Sequence, residues 1–367
     1  MIKVKTEELK NGAGLISKVW LGTKLIRSSE YIFISVNKDK MLLLSSDIDN
    51  IVQVSIPVEN PDTDVIKRFV SGEVFYRYVN LITGAREVNI SLGDNSVILE
   101  YGKNRVEFET VSDEDSVDFI KAIPEPVGSS VSVDVKNLLS GLKVLSAANN
   151  TVDTTNIMSN FYIGAVGGLS TNNYRISATK KSIINLDEKS EFLIPTHLVN
   201  ILRIFEGKEQ LTFCGGDENQ YLYFISDNII VAGIDNPNLE QYPKNPILDL
   251  LKTAPDFIFK VMKSTLLNSL ERLRLFIKDG DRGAIKVVVK NKELILNNIL
   301  GNSEEVIDLS TTEEKEFSFE SKFDINNLFS ILEQISETNI NIGFVKDKYI
   351  IIETEDYKYI AAIMVDA

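Results

Sequence analysis

FLIPTHLVNILRIF, residues 192–205, holds the only histidine of the chain, His197. It opens with apolar residues and a proline, then runs into leucine and isoleucine at helical spacing. SKFDINNLFSILEQI, residues 321–335, has the same shape with no histidine, and SIPVENPDTDVIKRFVSG, residues 55–72, reads the same way. In each, a short extended lead-in precedes a polar or proline start and then an apolar face. Pro195 suits the first turn of a helix, where a missing N–H costs nothing. The repetition says more about this chain than the histidine does.

A second amphipathic pattern stands about 60 residues before each of these, so successive copies begin roughly 130 residues apart, the size of a small domain rather than of a solenoid repeat. The first copy is VKTEELKNGAGLISKVW from Val4, with Thr6 as cap and Leu9, Ala13, Ile16 and Val19 or Trp20 facing inward. Gly12 and Gly14 weaken it. The second is VDVKNLLSGLKVLSAANN from Val133, with Asp134 as cap and Leu138, Leu139, Leu142 and Leu145 as its stripe. The third is VMKSTLLNSLERLRLFIKDG from Val261, with Ser264 or Thr265 as cap and Leu266, Leu267, Leu270 and Leu273 as its stripe.

Runs rich in β-branched and aromatic residues follow every helix. After the first helices they are YIFISVNKDKMLLLSSD, FYIGAVGGLSTNNYRISAT and AIKVVVKNKELILNNIL. After the second helices, hairpin turns are expected at Gly93–Asn95, Gly102–Asn104, Gly215–Asn219, Asp227–Asn228, Lys346–Lys348 and Glu355–Asp356. Each third thus reads helix, strands, helix, strands. Proline-bearing stretches at 118–130 and 244–256 read as boundaries with loop character, which predicts domains at 1–126, 127–253 and 254–367.

The 367 residues suffice for two to three domains, and 44% apolar with 25% charged residues is ordinary for a globular chain. No apolar run is long enough to span a membrane, and the first residues lack the apolar core of a signal peptide, so a cytoplasmic location is expected. The single cysteine, Cys214, excludes an internal disulfide framework and a cysteine-built zinc site. A net charge of −14 argues against nucleic acid only on average, since charge segregated onto one face still holds a polyanion.

Little in the residues suggests catalysis. His197 has no nucleophile pattern beside it and reads as a helix-surface side chain. Asp47 and Asp49 in SSDIDN (45–50) suggest either a solvated turn or an acidic metal site. DGDRG (279–283) lacks the spaced acids and closing glutamate of a calcium loop, and VGGLS (166–170) lacks phosphate-loop spacing. No serine, histidine and acid form a recognisable triad, and neither an enzyme nor a cofactor is expected.

Three stretches carry a resemblance to the bacterial-type DNA sliding clamp, the beta subunit of the replicative DNA polymerase III. STNNYRISAT (170–179) resembles that family's Thr-Asp-Gly-His-Arg-Leu-Ala segment through Thr171, Arg175 and Ile176, with Tyr174 in place of histidine. VAGIDNPNLEQYPKNP (231–246) resembles the lead into the third domain, in altered register. KYIAAIMVDA (358–367) resembles the terminal strand, keeping Met364 and departing elsewhere. The resemblance spans the chain in length and order, and rests on the combination.

That resemblance implies an α+β chain of three similar clamp-fold domains. Two such chains form a head-to-tail homodimeric ring, with helices lining a pore and antiparallel sheets outside. It implies a processivity factor that encircles double-stranded DNA without sequence specificity and tethers a replicative DNA polymerase, a clamp loader and repair proteins. Over the six helical stretches Lys and Arg exceed Asp and Glu by roughly three charges, leaving about −17 for the remainder, as a mildly cationic lining in an acidic shell requires. Lys24, Arg27, Arg68, Lys136, Lys143, Arg203, Arg272 and Arg274 are the candidate DNA contacts. A peptide-binding cleft between the second and third domains would be lined by Thr171, Tyr174, Arg175, Ile176, Tyr242, Asn327, Ile363 and Met364. Its departures from the usual residues suit the altered peptide preference of a phage- or plasmid-encoded clamp. Val65 and Phe69, on the expected second helix, and Leu275 and Phe276 are the candidate dimer interface, with core packing as the plain alternative. The competing functions are a clamp-like decoy or scaffold that does not encircle DNA, and a metal enzyme around Asp47 and Asp49.

Overall fold

The computed structural model describes residues 1–20, 30–37, 39–47, 49–59, 66–111, 123, 125–127, 130–149, 156–215, 221–235, 238–277, 283–290, 292–309 and 318–364. One unit, a strand, a helix and three strands, recurs six times along it. The first is β1 (Ile2–Lys5), α1 (Thr6–Trp20), β2 (Tyr31–Asn37), β3 (Lys40–Ser46) and β4 (Asn50–Pro57). The second is β5 (Ile66–Ser71), α2 (Gly72–Leu81), β6 (Glu87–Leu92), β7 (Ser96–Tyr101) and β8 (Asn104–Glu109). The third is β9 (Ser130–Asp134), α3 (Val135–Leu145), β10 (Asn160–Gly164), β11 (Gly167–Thr171) and β12 (Arg175–Thr179). The fourth is β13 (Glu191–Pro195), α4 (Thr196–Leu202), β14 (Gln210–Cys214), β15 (Tyr221–Ser226) and β16 (Ile229–Ile234). A linking helix, α5 (Lys244–Leu251), then precedes β17 (Phe257–Met262), α6 (Lys263–Arg274), β18 (Ala284–Lys290), β19 (Glu293–Asn298) and β20 (Glu304–Asp308). The last module is β21 (Ser318–Asp324), α7 (Ile325–Gln334), β22 (Asn339–Val345), β23 (Tyr349–Glu353) and β24 (Tyr357–Ala362).

Every opening strand passes into its helix with no loop between, so the last strand residue stands in the capping position. Asp324 caps its helix in this way: its carboxylate accepts the Asn326 N–H at 2.8 Å. Pro195 ends β13 and enters the helix from outside, one residue earlier than expected. The expected Ser264 or Thr265 cap is not used, because α6 starts at Lys263 directly after Met262.

Neighbouring modules exchange their opening strands. β1 pairs with β6 and β5 with β2; β9 with β14 and β13 with β10; β17 with β22 and β21 with β18. Closing strands then join across modules, β4 to β16 and β12 to β24, giving two eight-stranded and two four-stranded sheets, antiparallel throughout. The fold is therefore α+β. Its contacts gather into two compact units, Met1–Val135 with His197–Asp235, and Lys136–Thr196 with Asn236–Ala367. The middle third contributes strands to each.

In the first unit Leu9, Ala13, Ile16 and Val19 of α1 are fully buried, as their spacing predicts. In the second, Leu266, Leu270 and Leu273 of α6 and Leu328, Ile331 and Leu332 of α7 pack on Phe259, Phe323 and Phe344. On the other face of that unit's long sheet, α5 buries Ile247 with Tyr242, Tyr162, Leu169 and Ile360. A helix thus occupies part of the stretch expected to be a loop, since Ile247, Leu248, Leu250 and Leu251 find apolar partners there.

The largest departure from expectation lies at 55–72. The apolar residues there recur at helical spacing, yet Ile66–Ser71 form a strand with six partners on β2, and the helix follows at Gly72–Leu81. Sheet pairing overrides periodicity here, while Phe75 and Val79 hold α2 to the core. Phe75→Ala should cost about 3–5 kcal/mol, whereas Val74→Ala, on the exposed side, should stay within about 0.5 kcal/mol. Denaturant unfolding of the two variants checks the register of α2.

Candidate functional site

The expected basic residues fall into three classes. Lys24 and Arg27 lie outside the described residues. Arg68 and Arg272 are engaged by the protein itself. Arg68 sits on a strand rather than a helix. Its Nε donates to the Gly93 carbonyl, its Nη1 to the Lys67 carbonyl at 2.7 Å, and Asp94 is 3.9 Å away. Arg272 holds both carboxylate oxygens of Glu305. Lys136 and Lys143 are exposed on α3, which carries no acid, and Arg203 is exposed in the turn after α4. Arg274 is exposed at the end of α6, with its guanidinium 4.5 Å from the Phe329 ring centre.

The segment around Tyr174 is a built turn. Asn173 is left-handed, with φ of 73°. The Asn172 carboxamide oxygen accepts the N–H groups of Tyr174 (3.2 Å) and Arg175 (3.0 Å), and Thr171 Oγ1 donates to the Arg175 carbonyl at 2.8 Å. Tyr174 is 71% exposed, and its carbonyl accepts the Ala362 N–H at 2.9 Å, tying the turn to the last strand. Beyond that strand Ile363 N–H reaches the Lys348 carbonyl and Met364 N–H the Lys322 carbonyl.

The eight expected cleft residues do not share one surface. Ile176 pairs with Ile360 and faces the cluster that includes Tyr242, whose hydroxyl donates to the Leu169 carbonyl at 3.1 Å. Thr171, opposite Ile176, shares that face. Arg175 pairs with Ala361 and faces the other way, toward Tyr359, whose hydroxyl meets the Asn327 carbonyl at 3.0 Å. Burial raises the pKa of both Tyr242 and Tyr359. Tyr174 and Ile363–Met364 lie just beyond the paired ends of β12 and β24, and Ile363 packs against the core of α6 and α7. Val365–Ala367 lie outside the described residues.

Of the expected interface residues, Val65 is outside the described set. Phe69 is buried on β5 against Phe33, with ring centres 5.0 Å apart, so it belongs to the core. Leu275 is 82% and Phe276 47% exposed. Ile299 and Leu300 in the β19–β20 turn and Val306 on β20, none of them singled out from the sequence, are exposed as well. β20 and β8 are the closing strands that end their sheets with one edge unpaired among the described residues. The charge they carry, Arg105, Glu107 and Glu109 on β8 and Glu304, Glu305 and Asp308 on β20, is the sequence signal that marks an edge.

Asp47 and His197 meet. Asp47 accepts the backbone N–H groups of Asp49 (2.8 Å) and Asn50 (2.6 Å), and its carboxylate lies 3.2 Å from His197 Nδ1. Asn50 Nδ2 is also 3.2 Å from that nitrogen. Burial and the neighbouring Asp47 push the pKa of Asp49 up, against the pull of His197. Among the described residues no three His, Cys, Asp or Glu side chains converge to hold a metal. Cys214 is buried, which raises its thiol pKa. No helix among the described residues is long and apolar enough to cross a membrane.

Glu305 is the group whose titration bears on the open edge. Its hydrogen bond to Arg272 holds its pKa below the usual carboxylate value. The stabilisation is therefore complete at neutral pH and is lost as pH falls through that lowered value. For the β3–β4 turn, Asp47→Ala removes the acceptor of two backbone donors and should destabilise by about 1–3 kcal/mol. Asp47→Asn, which keeps one oxygen, should cost less. Thermal unfolding of the pair, with hydrogen exchange at Asp49 and Asn50, measures this.

No protein-family model matches the sequence, and no curated protein matches it. Solved structures do match over the whole chain. The DNA polymerase III subunit beta from Pseudomonas aeruginosa superimposes with a TM-score of 0.87 at 13% identity, over 99% of this chain and 100% of that one. The beta subunit from Thermotoga maritima gives 0.84 at 15%, over 100% of both chains. The DNA polymerase sliding clamp from Bacillus subtilis gives 0.85 at 15%, over 100% of this chain and 99% of its own. The chain has the fold of these clamps.

Proposed function

We propose that the chain is a DNA polymerase processivity factor, a sliding clamp in which two copies close head to tail around duplex DNA. In this reading the modules pair off as three similar domains, 1–126, 127–253 and 254–367. The observation that carries it is the pattern of closing strands. The first module's closing strand pairs with the fourth's and the third's with the sixth's, each three modules on. The same step takes the fifth module's β20 to the second module of a second copy, whose β8 has the matching open edge. Full-length likeness to clamps of the same fold supports this.

The cations left exposed, Lys136, Lys143, Arg203 and Arg274, supply a weak attraction blind to sequence, which suits sliding. Beside them an overall charge of −14 disfavours DNA elsewhere on the surface. The engagement of Arg68 and Arg272 by the chain's own acceptors favours, to that extent, a decoy that binds replication proteins without encircling DNA. The exposed Tyr174 with Ile363 and Met364 forms the docking end for a short extended peptide from a polymerase or loader, with a preference altered where Tyr174 stands. Fluorescence titration with a standard clamp-binding peptide reads this: weakened binding supports it, and host-like affinity removes it.

Two measurements decide the main reading. Sedimentation should give a two-chain mass, and Leu275→Ala with Phe276→Ala should give monomers; an intact dimer in the double variant would remove these residues from the contact. Protein loaded on circular DNA should stay bound until the circle is cut and then run off the ends. Protein that binds clamp-interacting peptide but never resists dissociation from closed circles is the decoy.

A further inference from the structure

We infer that Arg272 is a positioning residue of the ring-closing edge, and that its partner is Glu305 rather than DNA. The inference rests on the reading of β20 as the seat of a second copy's β8. Arg272 lies in the last turn of α6. Its Nε donates to Glu305 Oε1 at 2.8 Å, and its Nη2 donates to Glu305 Oε2 and to Ser269 Oγ at 3.1 Å. This is a bidentate pair, which fixes orientation as well as charge. Glu305 is on β20, and its side chain is only 18% exposed.

Charge on the two edges gives the pair its purpose. β20 reads Glu-Glu-Val-Ile-Asp, three acids in five residues and no cation. β8 carries Glu107 and Glu109, and its one cation, Arg105, lies 3.6 Å from Glu107 and 3.9 Å from Glu100. Paired strands stand about 5 Å apart, so closing these edges brings acid toward acid. A half-buried carboxylate with no cation there opposes the contact. Arg272 compensates Glu305 from within its own chain and turns it toward α6. The backbone groups of β20 and the exposed Leu275, Phe276, Ile299, Leu300 and Val306 are then left to the partner.

The test is sedimentation equilibrium of wild type, Arg272→Ala, Glu305→Gln and the double variant, at low and high salt, with DNA run-off measured on the same proteins. Arg272→Ala should weaken the dimer about tenfold at low salt, with the gap closing at high salt. Glu305→Gln alone should dimerise at least as tightly as wild type. Adding it to Arg272→Ala should restore both the dimer and retention on closed circles, which also shows that the single variant folds. An Arg272→Ala protein that dimerises like wild type but binds DNA less overturns the inference and returns Arg272 to the DNA surface. Failure of Glu305→Gln to rescue overturns it as well. A wild type that stays monomeric at every concentration refutes the second-copy reading itself, a different result from either.

Discussion

The antiparallel ladder that sets Val54 beside Ile229, and its counterpart that sets Ile176 beside Ile360, hold the rest of this structure in place. Each turns two four-stranded sheets into one of eight. A sheet edge presents a row of unpaired donors and acceptors, and a chain must pair it, cover it or charge it. Here four closing strands pair off within the chain, and among the described residues the other two, β8 and β20, have no partner on their outer edge and carry charge.

The exchange of opening strands interlocks the modules in pairs. Because β5 belongs to the sheet of β2 while β1 belongs to that of β6, no module is complete by itself. The helix that follows each opening strand begins where the strand ends, so its orientation is set by the sheet. That placement leaves Lys136 and Lys143 exposed while Leu138, Leu142 and Leu145 pack inward. Charge on the helices is thus a by-product of which face the core needs, and only a few positions remain for contact with a partner.

Much of this was legible in the residues. The stripes at Leu9–Val19, Leu138–Leu145, Leu266–Leu273 and Leu328–Leu332 mark helices because burial on one face demands that spacing, and the hairpin turns at Asp227–Asn228 and Lys346–Lys348 lie where expected. The helix at Gly72–Leu81 was hidden, because Phe75, Tyr76 and Tyr78 favour strands locally, while Ile66, Phe69 and Val70 imitate a helical stripe inside a strand. Site residues were less legible than elements. Exposure of Leu275 and burial of Phe69 depend on which strand lies beside them. The grip of Arg272 on Glu305 links residues 33 positions apart. Ile176 and Arg175 were expected on one lining and face opposite ways, as neighbours on any strand must.

The ladder between Val54 and Ile229 also has a history in synthesis. On a ribosome adding about 5–20 residues per second, β4 emerges roughly ten to thirty seconds before β16 exists to cover it. Throughout that interval the nascent polypeptide displays a bare, strongly apolar strand, Ile51, Val52, Val54 and Ile56 among its residues. One edge of β4 thus stays unpaired until β16 is made, the condition under which neighbouring chains on one message misassemble.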